Sequence, residues 1–463
     1  MRHRYLPEAH TLSDSLFGER NCERLMGRLD EKRIYGPTGI YYFELFFLSC
    51  NINQSKKHSN MSLSQAMSLN NLDYSPLTDP SVAIQRQVVI RYPEKSTYSS
   101  GEKIVIKLSG TTFLDAKNSA FTFKFLPTGT GLWSFGKDQG SAMNLFNRVR
   151  VLAPNGACIS DVERSNVFRA LANRLKQSKD YIAATGASYG FGLINQASNE
   201  TYPFTLPLRY LSPFFESDQL LPPQLTDGMT IELYLETPSQ AMSTGTSDQQ
   251  YTIEEPELSL DTSQLADAAL RSILASKDMT YEYTDVVQSE SFMSAADQQI
   301  YFEIPHSLTT AVEAFAVLRT STSVQNAAQN GFTFRGPLIG VDETDTDEME
   351  WSLGSIKLPQ QRAVGGQRIY AALLNSQGVT AGNTHFDIPR EFGADKTFTQ
   401  QIGVYSVDLK RNRMYSNSGR ELSNGQRLSV LIKHHEVVNH IVDVFVYFVG
   451  RVVLRKGQLV IER

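Results

Sequence analysis

Cysteine is scarce in this chain. There are three, Cys22, Cys50 and Cys158, and no two share the spacing of a disulfide framework or a thiolate metal site. The expected state is three isolated, reduced thiols in an intracellular setting. Charge is also thin. Only 20% of the residues are charged and the formal net charge is −5, so no global field draws the protein onto nucleic acid or an acidic membrane. Long apolar runs are missing as well. The one candidate, "IYYFELFFLSC" from Ile40 to Cys50, falls well short of the roughly 20 residues that span a bilayer and carries Glu44 inside it. As a secretion signal it begins too late and lacks a small-residue cleavage site. No phosphate loop, dinucleotide fingerprint or kinase signature occurs, which leaves nucleotide chemistry without a motif.

What is present points to sheet. The chain has 463 residues, more than one ordinary core holds at roughly 100 to 200 residues per domain. Phe (25) and Tyr (20) far outnumber Trp (2), and aromatic and β-branched residues favour strands. From Arg86 onward short segments alternate with period two. "KIVIKLSG" puts Ile104 and Ile106 on one face, and "AFTFKFLP" does the same with Phe121, Phe123 and Phe125. "RVRVLAPNGACI" predicts a hairpin, because Asn155-Gly156 supplies the positive φ angles of a tight turn. Residues 1–82 differ: a charged opening, the short apolar run and a polar stretch read as an N-terminal extension, poorly ordered or processed.

Two stretches show helical spacing. "SDVERSNVFRALANRLKQS" offers a capping box from Ser160 to Glu163 and stacks Val167, Leu171 and Leu175. "DTSQLADAALRSILAS" begins at a possible cap, Asp261 or Thr262, and carries Leu265, Ala269 and Ile273. The first reads as an insertion between strands, the second as a connector. An internal echo then sets the plan. "TDGMTIELYL", Thr226 to Leu235, lines up with "SNGQRLSVLI", Ser423 to Ile432, and each precedes a strand pair that closes its half of the chain. In the C-terminal pair, Lys456-Gly457 can form the turn. The echo predicts a duplicated all-β unit: a first jelly roll over residues 83–261, a connecting helix over 262–276 and a second jelly roll over 277–463. The expected fold is two tandem eight-stranded antiparallel jelly rolls with short inserted helices.

Each motif with chemical letters has a plainer reading. "GASYG", Gly186 to Gly190, spells a nucleophile elbow, but that motif needs a strand before Ser188 and a helix after it; here a helix precedes and a glycine-rich loop is expected. "HHEVVNH" suggests a zinc protease, yet His435 and His440 are five apart where a helical metal face needs i and i+4, so a polar hairpin loop between two strands is expected. The acidic run "VDETDTDEME", with Asp342, Glu343, Asp345, Asp347, Glu348 and Glu350, lacks the turn glycine of a calcium loop and reads as a solvated loop. Lys410, Arg411 and Arg413, and Arg451, Arg455 and Lys456, are basic without a stacking platform, which favours electrostatic or subunit contact over base reading. The expectation is no catalytic, metal or cofactor site and no cofactor.

Three segments together carry a resemblance: "PFTLPLRYLSPFFESDQLLPPQLTDGMTIELYLETP", "YTIEEPELSLDT" and the terminal "VDVFVYFVGRVVLRKGQLVIER". Over roughly 83–463, as pattern and domain order, the chain resembles the double jelly-roll major capsid proteins of eukaryotic DNA viruses such as polinton-like viruses, virophages and nucleocytoplasmic large DNA viruses. Residues 1–60 have no counterpart in it. The resemblance implies a structural protein of an icosahedral virion, assembled inside the host cell as homotrimers whose six jelly rolls form a pseudo-hexagonal capsomer. Its implied partners are its own copies, neighbouring capsomers and minor capsid or penton proteins. Neither specific nucleic-acid recognition nor a transmembrane segment is implied. The alternatives are a minor or vertex capsid protein, or a jelly-roll carbohydrate-binding or glycoside-cleaving protein using acids such as Glu232, Glu236 and Glu254.

Two expectations concern assembly. The apolar loop "RYLSPFF" leaves Tyr210, Leu211, Phe214 and Phe215 in need of a partner, which makes them candidates for trimer or loop contact. Upstream, the functional chain is expected to begin near Met61, by an alternative start or by removal of the preceding residues, ahead of the alternative that the upstream segment packs on a neighbouring subunit as an arm.

Overall fold

The computed structural model describes residues 83–463 apart from 136–139, 177–183, 192, 194, 245–247, 267–277, 325–331, 333, 340–346, 378–399, 402, 413–417, 423–425 and 456–457. The expectations for residues 1–82, including the start near Met61, lie outside the described residues.

Eight strands build the first sandwich: β1 (Ala83–Arg91), β2 (Lys103–Lys107), β3 (Phe113–Thr128), β4 (Phe146–Leu152), β5 (Cys158–Val162), β6 (Tyr202–Pro207), β7 (Thr230–Leu235) and β8 (Gln250–Leu265). They form two layers in the orders β1-β8-β3-β6 and β2-β7-β4-β5, and a short fifth strand, Thr97–Ser99, also pairs with β8 in the first layer. Strand alternation decides what the layers enclose. In β3, Phe121, Phe123 and Phe125 point inward while Thr122 and Lys124 do not, because successive side chains take opposite faces. The rings of Phe121 and Phe123 meet Phe146 from the opposite layer, with Phe123 and Phe146 edge-on at 6.0 Å, and Ile104, Ile106, Ile231 and Leu233 fill the remaining space.

The second sandwich repeats the plan. Its strands are β9 (Asp278–Met293), β10 (Gln299–Glu303), β11 (Ala311–Thr320), β12 (Glu348–Leu353), β13 (Ile356–Val364), β14 (Tyr405–Asp408), β15 (Leu428–Lys433) and β16 (His440–Arg455). The layers run β9-β16-β11-β14 and β10-β15-β12-β13, position for position the order of the first. A last strand, β17 (Gln458–Glu462), folds back antiparallel on β16. Among the described residues every strand pair of the two sandwiches is antiparallel, and an eight-stranded pair of layers with these crossovers is a jelly roll. The echo in the sequence falls on equivalent strands: β7 and β15 occupy the same place in the two sandwiches. Gly228, at φ +90° before β7, meets the positive-φ demand of the first turn.

The predicted hairpin is present, with β4 pairing β5 and Gly156 at φ +81° between them. The two helix expectations need correction. Helix α1 spans Ser165–Lys176, so the Ser160 to Glu163 capping box is not its start. Ser160 pairs opposite Val151 in the ladder, and strand pairing overrides the local cap. Where the connecting helix was expected from 262, Thr262 to Leu265 continue β8 and pair with β1; residues 267–277 lie outside the described residues. A second helix, α2 (Gly366–Gln377), sits between β13 and β14, as α1 sits between β5 and β6.

Candidate functional site: the seam and the loop ends

The two sandwiches meet along a buried seam, and α1 is its centre. The helix turns Val167, Phe168, Leu171 and Leu175 onto Phe315 of β11 and Phe445, Tyr447 and Val449 of β16. Phe168 lies 5.7 Å from the Phe445 ring and 5.5 Å from Tyr447. β16 is consequently buried on both faces: Val442, Val444, Val446 and Phe448 face the second core, while the alternate residues face the helix. A near-continuous apolar strand is what two-sided burial demands.

The proline-punctuated loop supplies the second part of the seam. Ser212 accepts a hydrogen bond from the Phe214 amide and caps a 3₁₀ turn, Pro213–Glu216. That turn drives Phe214 against Tyr281 and Tyr283 of β9, ring centroids 5.3 and 5.1 Å away, and Tyr281 donates its hydroxyl to the Phe214 carbonyl at 3.1 Å. Leu211, Phe214 and Phe215 are therefore buried inside one chain: of the trimer or loop contact expected of them, the contact seen here is that of the loop with the second sandwich. Of the four, only Tyr210 remains partly exposed.

Polar pins complete the seam. Ser160 of β5 lies 2.9 Å from Asp285 of β9 and 2.8 Å from Ser212. Tyr283 donates to the Ile159 carbonyl at 2.9 Å, and Arg463 donates to the Cys158 carbonyl at 2.6 Å. Asp285 is fully enclosed, and burial pushes its carboxyl up to about 7, against the opposing hydrogen bonds. Cys158 is a half-buried free thiol; Cys22 and Cys50 lie outside the described residues.

The other singled-out residues fall as follows. "GASYG" is a 3₁₀ turn, Gly186–Tyr189, in which Ser188 donates to the Thr185 carbonyl at 2.7 Å; among the described residues, the two that lead into it, Ala184 and Thr185, are helical rather than strand. Glu232 is ion-paired with Lys103 and Arg150 at 2.9 and 3.2 Å. Burial works to raise its carboxyl, but hydrogen bonds from Lys103 and Tyr234 hold it below the usual range, the reverse of what a proton-donating glycosidase acid requires. Glu236 is buried and accepts from Asn166. Glu254 pairs into the β8–β3 ladder opposite Lys124. Arg451 reaches Glu282 at 3.3 Å; Arg413 and Lys456 lie outside the described residues.

The acidic run is not a solvated loop throughout. Residues 341–346 lie outside the described residues, but Glu348 and Glu350 open β12 and pair with Arg362 at 2.7 and 3.2 Å, and Asp347 is fully buried. Asp347 reaches the "HHEVVNH" segment, which links β15 to β16 and so crosses from one layer to the other rather than closing a hairpin. Its carboxylate accepts from the His435 amide at 2.7 Å and lies 3.0 Å from His435 Nδ1. His434 Nδ1 stands 3.5 Å from Asp347 and 3.1 Å from the Tyr405 hydroxyl of β14. On the other side of the ring, His434 Nε2 and His440 Nε2 lie 3.6 and 3.3 Å from Glu436 Oε2. Burial works against charge on both Asp347 and His434. The histidines nevertheless hold the Asp347 carboxyl well below the usual range, and the carboxylates of Asp347 and Glu436 raise His434. Sequence spacing could not reveal this cluster, because it is assembled across the sandwich end from segments nearly ninety residues apart; two reactive-looking motifs, each with a plainer reading alone, were its only trace.

Two jelly rolls of one strand order, joined by a buried seam, define the double jelly-roll class. The fold matches that of major capsid proteins from several icosahedral viruses. PBCV-1 VP54, in a crystal structure fitted into a cryo-EM reconstruction of the virophage Sputnik, superposes with a TM-score of 0.58 at 11% identity, covering 84% of this chain and 99% of that one. The Faustovirus major capsid protein gives 0.55 at 8% identity over 82% and 92%, and the Sputnik virophage structure gives 0.54 at 12% identity over 86% and 91%. No protein-family model and no curated protein sequence matches the chain.

Proposed function

We propose that this chain is a major capsid protein, the repeating structural unit of an icosahedral virion shell of a DNA virus. The observation that carries the reading is the pairing of two sandwiches with identical layer order into one block, a likeness to capsid proteins that runs through both halves. Its role is structural rather than catalytic, and its place is the virion. In this reading the rolls occupy about 83–265 and 278–463, and three copies stand their six rolls side by side as a capsomer that contacts neighbouring capsomers and minor capsid proteins.

The seam consumes most of the apolar loop, so subunit contact falls to other surfaces. β1 is an edge strand, and its outward residues Val88 and Ile90, followed by Tyr92, are exposed apolar groups in alternation, the kind of face that marks association. Light scattering of the purified full chain is expected to give three times the chain mass of 51.8 kDa, and negative-stain images hexagonal outlines. A stable monomer at low micromolar concentration would overturn the trimer.

A further inference from the structure

We propose that His434, Glu436 and His440 form a binding site for one divalent transition-metal cation, zinc foremost, at the end of the second sandwich. The proposal stands apart from the capsid reading and rests on how four segments converge. His434 and Glu436 come from the loop after β15, His440 from the first position of β16, Asp347 from the residue before β12 and Tyr405 from β14.

The three inward donor atoms are two imidazole nitrogens and one carboxylate oxygen, all within 4.8 Å of one another. Glu436 Oε2 stands 3.6 Å from His434 Nε2 and 3.3 Å from His440 Nε2. Two ligands at opposite ends of a tetrahedron edge, each about 2.0 to 2.2 Å from a zinc ion, are separated by about 3.3 Å. The donors thus already sit near ligand spacing. Two histidines and a carboxylate also match the donor preference of zinc and its neighbours, with a fourth position for water.

The surroundings fix His434 and Glu436. For Nε2 of His434 to bind a metal, its proton must lie on Nδ1, and Nδ1 faces the Tyr405 hydroxyl at 3.1 Å and Asp347 at 3.5 Å. A carboxylate behind a histidine is the arrangement that orients metal-binding imidazoles. Asp347 is itself held by the His435 amide and ring. Glu436 turns its other oxygen to Arg335 at 3.4 Å, which leaves Oε2 for the histidines. Both His434 and His440 have fully buried side chains. Nε2 of His434 has no hydrogen-bond partner there, nor has Nδ1 of His440 on the far side of its ring. A buried nitrogen aimed at a carboxylate yet too far away to hydrogen-bond it is costly without a cation between them.

The competing occupant is a proton shared among the same groups, and the test separates the two. The full-length protein, stripped with a chelator and dialysed, is titrated with zinc chloride by calorimetry and with cobalt chloride by visible absorption. The expected result is one ion per chain and the intense absorption bands of four-coordinate cobalt, displaced by zinc. Glu436→Gln keeps the size and the Arg335 contact and is expected to weaken zinc binding by more than about tenfold, whereas Asp347→Asn, acting behind His434, weakens it by about 10- to 100-fold. Absence of saturable binding in the unsubstituted protein overturns the site whatever the variants do. Unchanged affinity in a folded Glu436→Gln protein overturns this set of ligands.

Discussion

Asp285 is the residue whose chemistry the sequence hid most completely. It sits in the alternating run "TYEYTDVVQSES" with no motif around it, and only the approach of β5 from the other sandwich encloses it. Its carboxyl, pushed up to about 7 by burial, is protonated in the fold at a pH where the unfolded chain has lost that proton. The resulting stability is full below the ordinary carboxylate range, declines as pH rises from about 4 to about 7 and is flat above. Asp285→Asn, which needs no proton, is expected to melt higher than the unsubstituted protein at pH 8, by an amount approaching about 4 kcal/mol, and to match it near pH 4. Equal melting temperatures across that range would contradict the assignment. Asp443 is also fully buried, and it accepts from Arg319 at 2.9 Å and Gln288 at 2.9 Å. Asp443→Ala strands the arginine and is expected to cost about 3 to 5 kcal/mol in urea unfolding, whereas replacing Asp443 and Arg319 together by leucine costs less.

At the scale of elements, strands were legible and helix limits were not. Alternation in "AFTFKFLP" and "KIVIKLSG" identified inward faces, because one-sided burial imposes period two. The Asn155-Gly156 turn was legible because its φ demand is local. The capping box at Ser160 failed because the ladder to β4 and the hydrogen bond to Asp285 are both contacts distant in sequence, and together they hold Ser160 in a strand. The apolar stripe of α1 was correctly read, but its partner was not, since nothing in Val167, Leu171 and Leu175 says which sheet they meet. Phe168, omitted from that stripe, is central to the seam. Phe168→Ala is expected to destabilise the protein by about 3 to 5 kcal/mol, measured by denaturant unfolding, and a change below 1 kcal/mol would show that α1 does not join the sandwiches.

For the whole molecule, the duplication was legible from the echo between Thr226 and Ser423, and the structure places both echoes on the same strand of their sandwiches. Less legible was how the halves join, because the seam uses residues that look like ordinary loop and helix. The exposed row on β1 gives the assembly prediction: Val88→Asp with Ile90→Asp is expected to shift the particle from trimer towards monomer in light scattering while leaving the melting of the chain nearly unchanged, surface changes usually staying within about 0.5 kcal/mol. Trimers that survive the double substitution would move the contact elsewhere.

β16 contributes to all three apolar clusters: Val452 to the first core, Val442, Val444, Val446 and Phe448 to the second, and Phe445, Tyr447 and Val449 to the seam. A strand shared in this way has no sub-global opening of its own, for exposing it dissolves every cluster at once. Its central amides should then be the slowest in the chain to trade hydrogen for deuterium, at a rate set by complete unfolding. Heating should likewise yield one calorimetric peak, in which two sandwiches lose their order as a single body.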